Sequence, residues 1–354
     1  MSTIWGVLGI ADRDTTVDYV GQTSTFEAIN ELVNRHNAEL AAATQVFIEM
    51  ETTDYQETYY LPAGGMLQEA TRLTRPGAVK ATGSYTTAYD LRDGRDQMAW
   101  DDVSLAYMTL NQVQAQLRTV LIRDQNWTRF YILKHLLNKT NATFVDEIRG
   151  SLTVRRLANS DGSLYPPVIG SSSEAEDNHY LVSGYTAANI SDTNNPFVTL
   201  RDEIEEHFGA GDVVAFINNA QRAKVEALTN FVPVSDRYIQ EGASTATISG
   251  APAGVPGSLL GRIDDVWVVE WRWIPANYIM ALDTMQPAPL KKRVDLPTNI
   301  AGRGALALVA EQEEFPLASS FWRHREGYGV GNRLNGVAME LTTDGSYDNP
   351  ATYA

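Results

Sequence analysis

The segment spanning residues 44–102 sets the strongest limit on what this chain can fold into. It is rich in Thr, Tyr, Asp and Arg and poor in Leu, Ile and Val. Fixing one residue's backbone costs on the order of 1–2 kcal/mol, and so few large apolar side chains cannot offset that with a core of their own. The segment therefore has to lie on the rest of the fold or on another copy. Residues 45–60 read Gln-Val-Phe-Ile-Glu-Met-Glu-Thr-Thr-Asp-Tyr-Gln-Glu-Thr-Tyr-Tyr, a strand-like run that stops at Pro62-Ala-Gly-Gly65. A second extended, polar run covers 80–100, and the turn dipeptide Asp93-Gly94 is expected to break it.

The clearest helix comes next. Leu110, Val113, Leu117, Val120, Leu121, Trp127 and Tyr131 fall on one face of 110–138, and only Asp124 interrupts the stripe. At about 1.5 Å per residue this is a rod of roughly 43 Å. Its last turns, with Phe130, Leu133, Leu136 and Leu137, are apolar nearly all round, so that end should be buried. A second amphipathic helix is expected over 24–43, carrying Phe26, Ile29, Leu32, Val33 and Leu40, with Thr23 or Ser24 as its cap. Residues 144–157 read as a short ribbon and 158–195 as loop. A compact α/β unit follows, with helices over 197–208 and 220–230, a strand over 212–217, and Gly209 as the stop of the first helix. Trp267, Val269, Trp271 and Trp273 share one face of a strand, with 277–283 expected as its partner across Pro275. Further strands are expected over 305–310, 315–326 and 336–341, and the polar tail 342–354 is expected to fray.

Composition narrows function. The chain has 354 residues and 44% apolar content, enough for one large core or two modest ones. Acidic residues number 44 against 28 basic, for a net charge of −16, so the chain as a whole repels phosphate backbones and anionic lipid. A dedicated nucleic-acid reader is not expected. The absence of cysteine removes disulfides, thiolate metal sites and cysteine nucleophiles together. No run approaches the roughly 20 apolar residues of a membrane helix, and the first residues have no cationic signal-peptide region. A soluble protein made in the cytosol is expected, which makes the Asn-x-Ser/Thr triplets at Asn138, Asn141 and Asn189 chance matches.

Chemistry is sparse. The histidines are His36, His135, His179, His207 and His324, with no pair at metal-motif spacing, so surface or internally satisfied histidines are expected. Glu203, Glu205, Glu206 and His207 cluster on one helix; a solvated face with one i, i+4 pair explains them best. Gly327, Gly329 and Gly331 lack the helix and Lys-Ser/Thr of a phosphate loop, and suit a strand bend or a close subunit approach. Lys291-Lys292-Arg293 reads as a solvated loop or as ion-pair partners for the abundant carboxylates. No catalytic residue, cofactor site or metal site is expected.

The order of these parts resembles the major capsid proteins of tailed double-stranded DNA phages, the Hong Kong 97 fold, over nearly the whole chain. The carriers are the polar arm, the long helix, the helix–strand–helix of 197–231, the segment from Gly261 through Val266-Trp-Val-Val-Glu-Trp-Arg-Trp273 to Asn277, and the close around Phe321-Trp-Arg-His-Arg-Glu-Gly-Tyr-Gly-Val-Gly331. The resemblance implies an α+β fold with an N-terminal arm (1–44), an extended loop (45–104), a peripheral domain (105–157 and 300–341), an axial domain (158–299) and a C-terminal tail (342–354). It implies a shell subunit forming hexamers and pentamers in the virion, assembled in host cytoplasm. Expected partners are further copies, a separate scaffolding protein, a portal, a decoration protein, and packaged DNA touched non-specifically. On the extended loop, Lys80, Tyr85, Tyr89, Arg92, Asp93, Arg95 and Asp96 are the expected subunit contacts. One relative crosslinks a loop lysine to an asparagine; Lys80, Asn332 or Asn335, and Glu340 are the residues that could take those parts here. An encapsulin-like compartment shares the fold, and an α/β enzyme is the rival from another class.

Overall fold

The computed structural model describes residues 16–17, 22–62, 67, 69, 72, 83–101, 107–171, 173–234, 254–314 and 317–353. Helix α1 (Gln22–Thr44) contains Thr23 and Ser24 in its first turn, so neither stands ahead of it as a cap. A 3-10 turn leads to β1 (Ile48–Thr52), β2 (Gln56–Leu61), β3 (Gly83–Ala88) and β4 (Arg92–Asp101). Two strands thus replace the single run expected over 45–60, divided where the Asp54 amide donates to Thr52 Oγ1 at 3.1 Å. In the second run the break falls at 89–91 rather than at Asp93-Gly94. Gly94 lies inside β4, and a Cβ there would come within 3.2 Å of the Trp127 ring, so this glycine serves a close approach to a helix.

Helix α2 (Leu110–Leu137) opens with a capping box: Thr109 accepts from the Gln112 amide, and Gln112 accepts from the Thr109 amide. Strands β5 (Ala142–Asp146) and β6 (Gly150–Val154) form a two-stranded ribbon. Then come β7 (Tyr180–Val182), α3 (Pro196–Phe208), β8 (Val213–Ile217), α4 (Asn219–Val225), β9 (Val232–Pro233) and β10 (Ser258–Ile263). The described elements end with β11 (Val266–Glu270), β12 (Tyr278–Asp283), β13 (Leu290–Arg293), β14 (Ala307–Glu314), β15 (Leu317–Val330) and β16 (Val337–Glu340).

One sheet runs in the order β7-β16-β12-β8-β11-β10-β9. Its central strand, β8, is buried along its whole length, as a strand covered on both faces must be. Val213, Ala215 and Ile217 join Phe197, Leu200 and Ile204 of α3 in one core, while Val214 and Phe216 join Ile132, Leu133, Leu136 and Leu137 of α2 in the other. The expected pairing of 266–273 with 277–283 does not occur. Strand β8 lies between them, parallel to β11 and antiparallel to β12. The connection is wide enough to cross the end of β8, where Asn218 donates to the Ile274 carbonyl at 2.6 Å and also caps α4.

The second sheet joins β1, β13, β15 and β14, with β4 also paired along β15 from Asp101–Leu317 to Arg92–Glu326. Met98 and Trp322 turn one face toward Val113, Leu117 and Val120 of α2, with Ile29, Leu32 and Val33 of α1 in the same core. Helix α2 therefore serves both sheets, its first turns in one core and its last two in the other. The basic triplet 291–293 is strand β13 rather than a loop. Its Lys291 and Arg293 pair with Glu57 and Asp146, at 2.7 and 2.9 Å.

The tail does not fray. Tyr347 and Tyr353 are buried in the same core as the end of α2. The Tyr347 hydroxyl donates to the Leu137 carbonyl at 2.6 Å, and Asn138 Nδ2 donates to the Tyr353 carbonyl at 2.8 Å. The tail thus satisfies a backbone group that the helix end leaves open.

Candidate assembly surface

The β2–β3 ribbon is anchored on the rest of the chain. Tyr59 of β2 stacks on Tyr85 of β3 with ring centroids 5.1 Å apart, and its hydroxyl donates to Glu57 at 2.7 Å while accepting from Tyr89 at 2.7 Å. Lys291 donates to the same carboxylate at 2.7 Å and lies 5.3 Å from the Tyr59 ring centroid. Burial alone would lower the Lys291 ammonium, but Glu57 and Tyr59 hold it up at about 12. Burial likewise favours a neutral Glu57, and Lys291 overcomes it, holding this carboxyl below its usual range.

Tyr85 and Tyr89, expected as contacts with a neighbour, are buried within the chain itself. The Tyr85 hydroxyl donates to the Gly331 carbonyl at 2.7 Å. Over this footing the chain crosses β15 so closely that a Cβ at Gly327 would stand 1.3 Å from the Asp90 carbonyl oxygen, and one at Gly329 2.5 Å from Tyr89. The close approach expected of these glycines is thus made within one chain, not between subunits. Phe47, Thr52, Tyr85, Thr87, Ala88, Tyr89, Asp90 and Met98 are all buried, so the arm segment hides more than its composition suggests.

Beneath the footing, Arg333 is wholly buried and lies 5.3 and 5.6 Å from the ring centroids of Tyr85 and Tyr165. It donates to the carbonyls of Arg156 and Leu157, to Asn159 and Ser163, and to both oxygens of Asp161. No local motif marks it, because its partners lie 170–177 residues upstream.

The charged residues of β4 alternate. Asp96 turns toward α2 and accepts from Arg123 at 3.0 Å. Asp93 and Arg95, in register with Arg325 and Arg323 of β15, line the opposite face and pair with each other at 2.5 Å. Arg92 donates to Asp90 at 2.6 Å. Lys80 lies outside the described residues. Both ribbons carry exposed apolar residues: Tyr60 is 76% exposed on β2, and Val145 and Ile148 are 70% and 87% exposed at the end of the β5–β6 ribbon, while others, such as Tyr107, Met285 and Leu296, lie elsewhere on the chain. Strand β2 has no fully buried residue and, among the described residues, pairs with β3 alone. A two-stranded ribbon of this kind is marginal by itself.

No family model and no curated protein matches the chain. Among solved structures, a chain of Mycobacterium phage Patience aligns over 96% of this chain and 94% of its own, with a TM-score of 0.68 and 19% identity. A chain of the mature capsid of bacteriophage PhiM1 aligns over 84% and 86%, with a TM-score of 0.52 and 9% identity. One from the capsid of a native GTA particle aligns over 85% and 90%, with a TM-score of 0.50 and 10% identity. The chain has the fold of phage capsid subunits, in the α+β arrangement expected from its sequence.

Proposed function

We propose that the chain is the major capsid protein of a tailed double-stranded DNA phage, a structural subunit that assembles as hexamers and pentamers into an icosahedral shell. The carrying observation is a ribbon anchored on one face by Tyr59, Tyr85 and Tyr89, while its other face, with Tyr60 exposed, is open for another copy to cover. The fold shared with capsid chains supports the same reading. In it, 1–44 is the N-terminal arm, 45–104 the extended loop, 105–157 with 300–341 the peripheral domain, and 158–299 the axial domain. Arg92, Asp93, Arg95 and Asp96 remain the proposed contacts on the loop's inner strand. A scaffolding protein, a portal and a decoration protein are the proposed partners in the virion, with packaged DNA touched non-specifically by an acidic lining.

Negative-stain electron microscopy of the chain, expressed alone and with a scaffolding partner, tests the reading. Closed shells, or free hexamers and pentamers, are the expected result. A discrete monomer or small dimer under every condition overturns it.

A further inference from the structure

Five ligand-type side chains from two segments meet beside α3. Asp177 and His179 come from the loop ahead of β7, and Glu203, Glu206 and His207 from the last turns of α3. His179 Nε2 lies 2.7 Å from Asp177 Oδ2, and His207 Nε2 lies 2.9 Å from the same oxygen. The ligand atoms of Asp177, His179 and His207 all fall within 4.8 Å of one another, as do those of Asp177, Glu203 and Glu206. Helical spacing sees only Glu203 and His207; the partners on the loop are brought in by the fold.

The decisive group is His179, whose ring is entirely enclosed. Its Nδ1 is 2.8 Å from the Gly336 carbonyl, which can only accept, so a proton is fixed on that nitrogen. Nε2 faces the cluster: its N–H donates to Asp177 when no cation is bound, and its lone pair becomes a ligand once that proton leaves. A backbone carbonyl behind one ring nitrogen is the arrangement that orients a histidine for a metal on the other. Three carboxylates and two imidazoles share this half-buried recess, a donor set in which a cation can take the place of the protons on Nε2.

We propose that Asp177, His179 and His207 bind one divalent transition-metal ion of the zinc type, with Glu206, 3.5 Å from His207 Nε2, or Glu203 drawn in as the fourth ligand. Two imidazoles with carboxylate oxygens suit zinc rather than magnesium or calcium, whose ligands are oxygens throughout. With metal–ligand distances of about 2.0 Å, tetrahedral ligands stand roughly 3.3 Å apart, so the two histidine contacts of Asp177 open by about half an ångström on loading. The ion ties the 158–195 loop to α3, beside the bond from the Ile169 amide to the Glu206 carbonyl at 2.7 Å. The site does not depend on the shell reading.

The test strips the full-length chain with a chelator, then titrates it with Zn²⁺, and in parallel with Co²⁺ as a spectroscopic probe. The expected result is a single zinc retained per chain after gel filtration and a Tm raised by about 4 °C at hundredfold excess over Kd. Cobalt should give the intense visible bands of tetrahedral coordination. His207→Gln and Asp177→Asn should each lose the retained ion, whereas Glu205→Gln, which changes a carboxylate outside the cluster, should keep it. Glu203→Gln and Glu206→Gln, one at a time, identify the fourth ligand and serve if the other variants fail to fold. No retained zinc in the native chain, or equal zinc in native and His207→Gln proteins, overturns the proposal. Particle assembly is scored separately, so either reading can fail alone.

Discussion

His324 lies between two carboxylates, with Nδ1 2.5 Å from Asp124 and Nε2 3.0 Å from Glu326. His36 reaches the other Asp124 oxygen at 2.9 Å, Lys292 stands 3.9 Å from Glu326, and the Tyr328 hydroxyl donates to Glu326 at 2.5 Å. Burial alone would lower the His324 ring, but Glu326 and Asp124 hold it up at about 10. Burial would raise both carboxyls, and the histidines, with Lys292 at Glu326, hold them below their usual range instead. A ring raised from about 6.5 contributes stability in full below pH 6.5 and loses it as pH climbs toward 10. The depressed carboxyls contribute above roughly pH 4 and lose it on further acidification. His324→Gln should therefore abolish the decline in Tm between pH 6.5 and 10. It should also narrow its deficit as pH falls toward 4, where the orphaned carboxyls take up protons. A deficit that is constant with pH would mean a neutral ring. Arg333→Lys is a second test at this scale. One ammonium cannot replace a guanidinium that reaches five partner residues, and a loss of about 2–4 kcal/mol in the urea midpoint analysis is expected. Neither site was legible in the sequence. Asp124 reads there only as a gap in an apolar stripe, and the residues that justify it lie 88 and 200 positions away.

Elements were legible where one period ran long enough. The stripe of α2 places its ends within a residue of those observed, because Leu110, Val113, Leu117 and Val120 repeat at helical spacing without competition. Strand partners were not legible, since alternation says which face is apolar but not which strand lies alongside. That is why β8 could enter between β11 and β12 unseen. The tail was misjudged for a related reason: two tyrosines in a polar context read as surface, yet each has an apolar ring for the core and a hydroxyl for a carbonyl. Truncation after Leu341 should consequently destabilise the chain rather than leave it unchanged. It uncovers Leu137 and the α2 terminus, and thermal melting of the truncated chain checks this. Within α2, Leu133→Ala should cost about 2–5 kcal/mol by opening a cavity between helix and sheet, while Ile122→Ala on the exposed face should stay within about 0.5 kcal/mol.

For the whole molecule, charge and shape pull in opposite directions. A chain carrying −16 repels its copies, while the ribbons ask to be covered by backbone pairing and by side chains such as Tyr60 and Ile148. Repulsion between exposed charges is screened over about 30 Å at 0.01 M salt and about 8 Å at 0.15 M. Strand pairing and apolar contact act at short range and respond little to that change. Asp93 and Arg95, two of the proposed subunit contacts, are already paired within the chain, which leaves little net attraction for salt to weaken. Raising salt from 0.01 to 0.15 M should therefore lower the protein concentration at which assemblies first form, with a smaller effect on the Tm of the unassembled chain. Light scattering against concentration at several ionic strengths, with microscopy of the products, measures it. Assembly that weakens with salt would show instead that complementary charge pairs between subunits dominate the contact. The ribbons would then be guides for a charged interface rather than its adhesive part.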